Sequence, residues 1–257
     1  MNLQLVGLRV LVTAGATGIG QAIARAFVEE GAKVHVCDID QGALARLTQT
    51  DPAITSSVAD VANRDEVARL FDDALAELGG LDVLVNNAGI SGPTATVEDQ
   101  PPLEWDRCIE VNLIGQFNCA RHAVPLLKQS SNASIVNMSS ISGRLGVAAR
   151  SPYVASKWGV VGFTKSLAAE VGPHKIRVNA VLPGLVEGER IERVLLARAK
   201  AFGKTYEEAR EAMLAGTSLR TMVTAEEIAD QILFLCSRRA RSISGQAISV
   251  CGDLQTA

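Results

Sequence analysis

Five scarcities narrow the field before any motif is read. Charge is nearly balanced: 25 Lys and Arg stand against 28 Asp and Glu in 257 residues, a formal net charge of −3. A protein that grips nucleic acid or an anionic membrane carries a basic surplus, so neither partner is expected. Long apolar runs are missing. None reaches the roughly 18–20 residues that a membrane-spanning helix needs. Metal-ligand spacing is missing too. Cys37, Cys108, Cys119, Cys236 and Cys251 form no Cys-x-x-Cys pair, and His35, His122 and His174 are scattered. Without a cluster of ligands, no metal is expected. The odd, dispersed set of cysteines fits reduced thiols, and Cys37, Cys236 and Cys251 read as small core residues. Residues 1–9 lack a basic start followed by a long apolar core, so a cytoplasmic location is the expectation. Aromatic residues make up only 4 % of the chain, which leaves little to wall a large ring system.

What is present is ordinary in bulk and specific in order. Apolar residues at 47 % and charged residues at 21 % suit one large α/β domain. Leu8–Thr13 is a short, β-branched apolar run, read as a buried strand. Ala14-Gly15-Ala16-Thr17-Gly18-Ile19-Gly20 follows, then a helical segment to Glu30, stopped by Gly31. Lys33–Cys37 is the next strand, with Asp38 at its end. Glycines at the first strand-to-helix turn and an acid about twenty residues on form a dinucleotide fingerprint. Glycine lets the backbone approach a pyrophosphate, and the helix N-terminus supplies amides. A tight turn in a protein without nucleotide is the competing reading. Asp38 can accept hydrogen bonds from both ribose hydroxyls and would repel a 2′-phosphate. Ile39 follows it, and no basic residue stands at Ala16 or Thr17. NAD is therefore favoured over NADP. The competing role for Asp38 is a helix N-cap.

The alternation continues with strands at residues 53–58, 81–85, 134–138, 176–182 and 246–250. Helices are expected over 63–78, 103–128 as one long element, 152–171 and 187–216. Thr224 and Glu227 read as a capping box opening another helix. Strands alternating with helices mean a doubly wound parallel sheet of about seven strands, with helices on both faces, in a single domain spanning residues 1–257. Ligands bind such a sheet at the carboxyl ends of its strands. Asp60, Asn86–Gly89, Ser140 and Pro183-Gly184 fall there as well.

Tyr153 and Lys157 are four apart, so on a helix they share a face. An ammonium beside a tyrosine favours the phenolate, lowering a pKa that is ordinarily ~10. Ser140, thirteen residues upstream of Tyr153, is placed to hydrogen-bond a substrate oxygen. Ser139 is its alternative. Alone, a Tyr-x-x-x-Lys pair is weak; beside a nucleotide site it is strong.

With those residues together, the chain resembles the short-chain dehydrogenase/reductase family from about Leu8 to Gly252. The glycine motif corresponds to Thr13–Gly20, the Asp-Val adenine contact to Asp60-Val61, and Asn86–Gly89 stands intact. The resemblance implies a Rossmann fold and catalytic positions at Asn112, Ser140, Tyr153 and Lys157. It implies cofactor contacts from Gly15, Thr17, Gly18, Ile19, Gly20, Asp38, Asp60, Val61, Asn87, Ala88, Gly89, Tyr153, Lys157, Pro183, Gly184 and Val186. Asn112 would hold a water linking Lys157 to solvent; a helix-kink role is the other reading. Two positions depart from the family. Ala14 replaces the first glycine, and Gly188 stands where a threonine often holds the carboxamide, a contact that amides near Leu185 and Val186 would then supply.

The implied activity is hydride transfer between a nicotinamide and a secondary alcohol or ketone, with NAD as cofactor and a homotetramer as the assembly. A nucleotide-sensing binding protein on the same scaffold is the alternative. Residues 91–97, 141–150 and 185–216 are expected to wall the substrate site, the last as a lid. Arg144, Arg150 and Glu187 are the candidate substrate contacts. Few aromatics favour a small polar hydroxy or keto compound.

Overall fold

A computed structural model of the chain describes residues 2–255. The elements in order are β1 (Arg9–Thr13), α1 (Gly18–Glu29), β2 (Lys33–Asp38), α2 (Gln41–Thr50), β3 (Ile54–Val58), α3 (Arg64–Leu78) and β4 (Val83–Asn86). Then come α4 (Pro102–Ile109), α5 (Gly115–Leu127), β5 (Ser134–Met138), α6 (Ser151–Val171) and β6 (Arg177–Pro183). The chain ends with α7 (Glu189–Phe202), α8 (Tyr206–Ala215), α9 (Ala225–Cys236) and β7 (Ala247–Val250).

The seven strands form one sheet in the order β3-β2-β1-β4-β5-β6-β7, and every pairing is parallel. The order reverses between β1 and β4, and a crevice opens at such a switch point. Both faces are covered, and the strands show it residue by residue. Val10, Val12, Val83, Val85 and Val136 enter one core with Ile23, Phe27 and Ile232. Leu11, Leu84 and Ile135 enter the other with Leu70, Phe71 and Leu127. Successive side chains of a strand point to opposite faces, so burial on both sides demands apolar residues at nearly every position. All five cysteines are buried. Burial pushes the thiols of Cys37 and Cys236 up to about 12 and that of Cys119 well above its ordinary value.

Helix signals in the sequence match the termini. Thr224 and Glu227 form a reciprocal capping box on α9, and Asn63 caps α3 through the amides of Asp65 and Glu66. The long helix expected over 103–128 is divided. A π turn at Glu110–Ile114 separates α4 from α5, a widening that hydrophobic periodicity does not reveal. Residues 187–216 form two helices, α7 and α8, broken at Gly203 (φ 62°). Their Ile191, Leu195, Ala199 and Ala209 form a small apolar cluster with Met222, which follows α8. Tyr206 on α8 donates to Glu192 on α7 at 2.6 Å. Among the described residues no helix is long and apolar enough to cross a membrane.

His35 is one of several buried polar residues on the strands. His35 on β2 is 1 % exposed. Its Nδ1 lies 2.7 Å from Thr55 Oγ1 and its Nε2 3.0 Å from Ser57 Oγ. Ser57 donates its proton to Asp73 at 2.8 Å, so it accepts from Nε2–H. Burial holds the pKa down at about 4, against an ordinary 6.5. The unfolded chain therefore binds a proton that the folded chain refuses between those values. The stabilisation is present above pH 6.5 and is lost as pH falls towards 4, by up to about 3 kcal/mol. Urea titrations from pH 7 to 4 should show this loss, and His35→Gln should shrink it. An unchanged slope in the variant would assign the acid limb to other groups.

Candidate active site

The turn from β1 to α1 is held from both sides, by the end of β2 and by the residues after β4. Gly15 N donates to Cys37 O at 3.0 Å, and Ala16 N donates to Asp38 Oδ2 at 3.2 Å. Asn87 Nδ2 donates to Thr13 O and Ala14 O, both at 3.0 Å, while Thr13 Oγ1 accepts from the amides of Asn87 and Ala88. A Cβ on Gly20 would lie 2.0 Å from Ala14 O and 2.6 Å from Asn87 Nδ2, so only glycine fits. Gly18 has φ +55° and its missing Cβ faces open space. The turn therefore presents bare backbone at the N-terminus of α1, a fit for a dinucleotide pyrophosphate. Asn87 serves this turn with its side chain, as a brace.

Asp38 is not a helix cap. Asp40 caps α2 by accepting from Ala43 N at 2.9 Å, and Asp38 Oδ1 accepts from Asp40 N. The Asp38 carboxylate thus stands at the end of β2, tied to the glycine turn. Asp60 accepts from Arg107 at 2.6 Å and from Ala62 N at 3.0 Å. Val61 packs under Gly115, whose Cβ would come within 2.6 Å of it.

The four expected catalytic positions meet at the same strand ends. Lys157 on α6 is 4 % exposed, and its Nζ donates to Met138 O at 2.9 Å. Nζ lies 5.7 Å from the centre of the Tyr153 ring, and the Arg150 guanidinium lies 5.1 Å from it. Both cations stand within cation–π distance of the ring. Ser139 donates its hydroxyl to Lys157 O at 2.8 Å and so fastens β5 to α6. Ser140 Oγ accepts from Ser142 N at 3.2 Å, which leaves its own proton for another acceptor. That difference favours Ser140 over Ser139.

Asn112 sits in the π turn, fully buried. Its Oδ1 accepts from Ile90 N at 2.7 Å, and its Nδ2 donates to Ile90 O at 3.0 Å and to Ser156 Oγ at 3.1 Å. The carboxamide is committed to fixing the loop after β4. Any water held by this residue falls to its main chain, in a turn where the regular helix ladder is broken.

Both departures from the family motif have a physical reading. Ala14 has φ +50°, a left-handed backbone that costs a residue with a Cβ roughly 1–2 kcal/mol. Gly188 has φ +127°, where a threonine would be strained whatever the space around it. Glu187 N donates to Val223 O and Val223 N to Leu185 O, both within 2.9 Å. In a parallel bridge the middle residue points its own amide the other way, so Val186 N faces away from Val223. Pro183 ends β6, and Gly184 is pressed so close to Cys251 that a Cβ would lie 2.7 Å from its Cα.

The substrate candidates separate. Arg144 is a correction. It donates to Ser249 Oγ at 3.1 Å and to Ala247 O, so its guanidinium serves β7 and not the site. Arg150 stays at the site, against Tyr153 and 2.9 Å from Thr94 Oγ1. Glu187 is exposed beside Val186. Residues 91–97 and 141–150 are joined where Ala95 N donates to Ala149 O at 3.1 Å. Gln116 was not singled out by motif. It is 2 % exposed and donates to the same Met138 carbonyl as Lys157, at 3.1 Å. Its spacing of one helical turn from Asn112 was the available signal.

A family model described as enoyl-(acyl carrier protein) reductase matches residues 13–253. The 3-oxoacyl-[acyl-carrier-protein] reductase FabG of Thermotoga maritima is 37 % identical over 256 residues, covering 98 % of this chain and 99 % of the relative. The chain belongs to the short-chain dehydrogenase/reductase family. Among solved structures, an NAD+-bound xylitol dehydrogenase superposes with a TM-score of 0.92 at 26 % identity, covering 97 % of this chain and 99 % of the other. An actinorhodin polyketide ketoreductase with NADPH gives 0.91 at 33 % identity, over 96 % and 97 %. This short-chain dehydrogenase/reductase is thus an oxidoreductase of nicotinamide-binding type.

Its strained first turn is open to a direct test. Ala14→Gly should raise the melting temperature by about 2 °C, since relief of a positive φ exceeds the entropy glycine adds to the unfolded chain. A fall in melting temperature would mean the Ala14 methyl contributes packing that outweighs the strain.

Proposed function

We propose that this protein is an NAD(H)-dependent dehydrogenase that interconverts a secondary alcohol and a ketone on a small polar substrate, with Tyr153 as general acid/base. The observation that carries the reading is the meeting of a cationic Tyr153–Lys157 pair and a glycine cradle at one sheet edge. A bound nicotinamide supplies the hydride acceptor in the oxidation direction. Residues 15–20, Asp38, Asp60-Val61, Ala88-Gly89 and Pro183–Val186 would hold the cofactor. Tyr153 Oη takes the hydroxyl proton. Lys157 and Arg150 stabilise the phenolate before transfer, and Lys157 would also hold the nicotinamide ribose. Ser140 donates to the substrate oxygen and opposes charge building there. Met138 O, which also accepts from Gln116, keeps the Lys157 ammonium in place. The Asn112 main chain holds the water through which the proton leaves. The paired helices α7 and α8 act as the lid, so that substrate choice lies outside the sheet.

The relatives point both ways on the cofactor: one solved structure is titled with NAD+ and another with NADPH. Asp38 supports NAD. Two like charges about 4 Å apart repel by about 4 kcal/mol at an effective dielectric of 20. Even a third of that leaves about tenfold discrimination against a 2′-phosphate. A reductase using NADPH, like the ketoreductase, is the second reading.

Tyr153→Phe should bind NADH normally and lose turnover by about 10²-fold or more, measured by NADH absorbance against secondary alcohols grouped as acids, polyols and aromatic alcohols. Near-normal kcat would sink the role of Tyr153. NADH binding by the unaltered protein with no turnover in any group would favour the sensor. Asp38→Ala should weaken NAD binding and narrow the gap to NADP in the same titrations. Unchanged constants for both would remove Asp38 from the ribose.

A further inference from the structure

The opposite end of the sheet carries a second concavity. β6 begins at Arg177 and ends at Pro183, so its base lies about 20 Å from the catalytic edge at ~3.3 Å per residue. A cleft of about 780 Å³ opens there, lined by Lys175, Arg177, Arg238, Arg239, Arg241 and Asn132 among others. The lining holds no carboxylate and no aromatic ring. Five cations converge in a chain whose net charge is −3. Among the described residues none of the five pairs with a carboxylate. Asp82 stands on a neighbouring strand end, but its oxygens are taken by Arg9 and Ser130.

Arg177 is the unusual member. It is 7 % exposed. Its guanidinium donates to the carbonyls of Leu235, Cys236 and Ala240 and to Asn132 Oδ1. The first two carbonyls close α9, whose C-terminus carries only a partial negative charge, equivalent to about half an electron. A buried full positive charge is thus matched by dipoles alone, with four more cations at the rim. Buried charges are ordinarily paired with an opposite charge, and an anion of more than one charge would complement the four cations at the rim.

We propose that this cleft binds a small oligophosphate, with Arg177 at its floor and Arg238, Arg239, Arg241 and Lys175 closing on the phosphate oxygens. Guanidinium forks suit phosphate geometry. The volume suits a small-molecule ligand, and the lack of an aromatic wall leaves no surface for a nucleoside base to stack on. The site is separate from the nucleotide edge and has no part in the hydride chemistry.

Inorganic pyrophosphate is the probe, titrated calorimetrically into the full chain at low ionic strength. Binding should weaken by at least about tenfold in Arg238→Glu/Arg239→Glu, while Arg238→Lys/Arg239→Lys keeps most of it. Arg177 is left in place because its bonds hold α9. Turnover should be unchanged in both variants, which separates this cleft from the proposed activity. If the charge-reversed variant does not fold, Arg241→Gln carries the same comparison with a smaller loss. Three results would overturn the proposal: no heat at millimolar pyrophosphate, equal affinity in the variants, or an equal response to sodium chloride at matched ionic strength. Equal affinity would place the phosphate at the glycine turn instead.

Discussion

The turn after β1 is stitched to the end of β4 by four hydrogen bonds centred on Thr13 and Asn87. Each is short-range in space and long-range in sequence. Together they set where α1 begins, and therefore where its free amides point. They also explain why Gly20 admits no side chain and why Ala14 is held at a positive φ. The first and fourth strands are the pair that flanks the switch point, so the stitch closes the floor of the crevice itself. Loosening it would displace the glycine turn and the loop carrying Gly89 at once.

A second set of polar contacts builds the other half of the edge. Met138 O receives both Lys157 and Gln116, and Asn112 fastens Ile90 to Ser156. These side chains are buried, and each has a fixed partner. Hydrogen bonds made before substrate arrives need not be reorganised during the reaction. The helical pair α7 and α8 is built differently, around a small cluster of its own. The sheet and this helical pair therefore draw on separate packing, and one can vary without unsettling the other.

Much of this was legible in the sequence because it is local. The strand runs, the capping box at Thr224 and the Asn86–Gly89 motif are each written within a few residues. So was the set Ser140, Tyr153 and Lys157. Contacts across the fold were not legible. Nothing near Arg144 in sequence announces β7, yet that strand takes its guanidinium. Nothing near Asp60 announces Arg107. The π turn was hidden because a widened turn keeps the apolar pattern of the helices around it. The basic cleft was hidden by averaging: a balanced total conceals cations gathered at one end, although Arg238-Arg239-Ala240-Arg241 is visible as a run once position matters.

The interior placement of every thiol has a practical side. Cys37, Cys108, Cys119, Cys236 and Cys251 all lie inside the molecule, and burial keeps at least three of them protonated at neutral pH. Thiolate, not thiol, is the reactive form. A single cysteine engineered on an exposed helix, such as at the tip of the α7–α8 pair, would therefore react ahead of the native five. The folded protein could take one fluorophore or spin label at a chosen point with no native cysteine removed first, which makes movement of that helical pair directly observable.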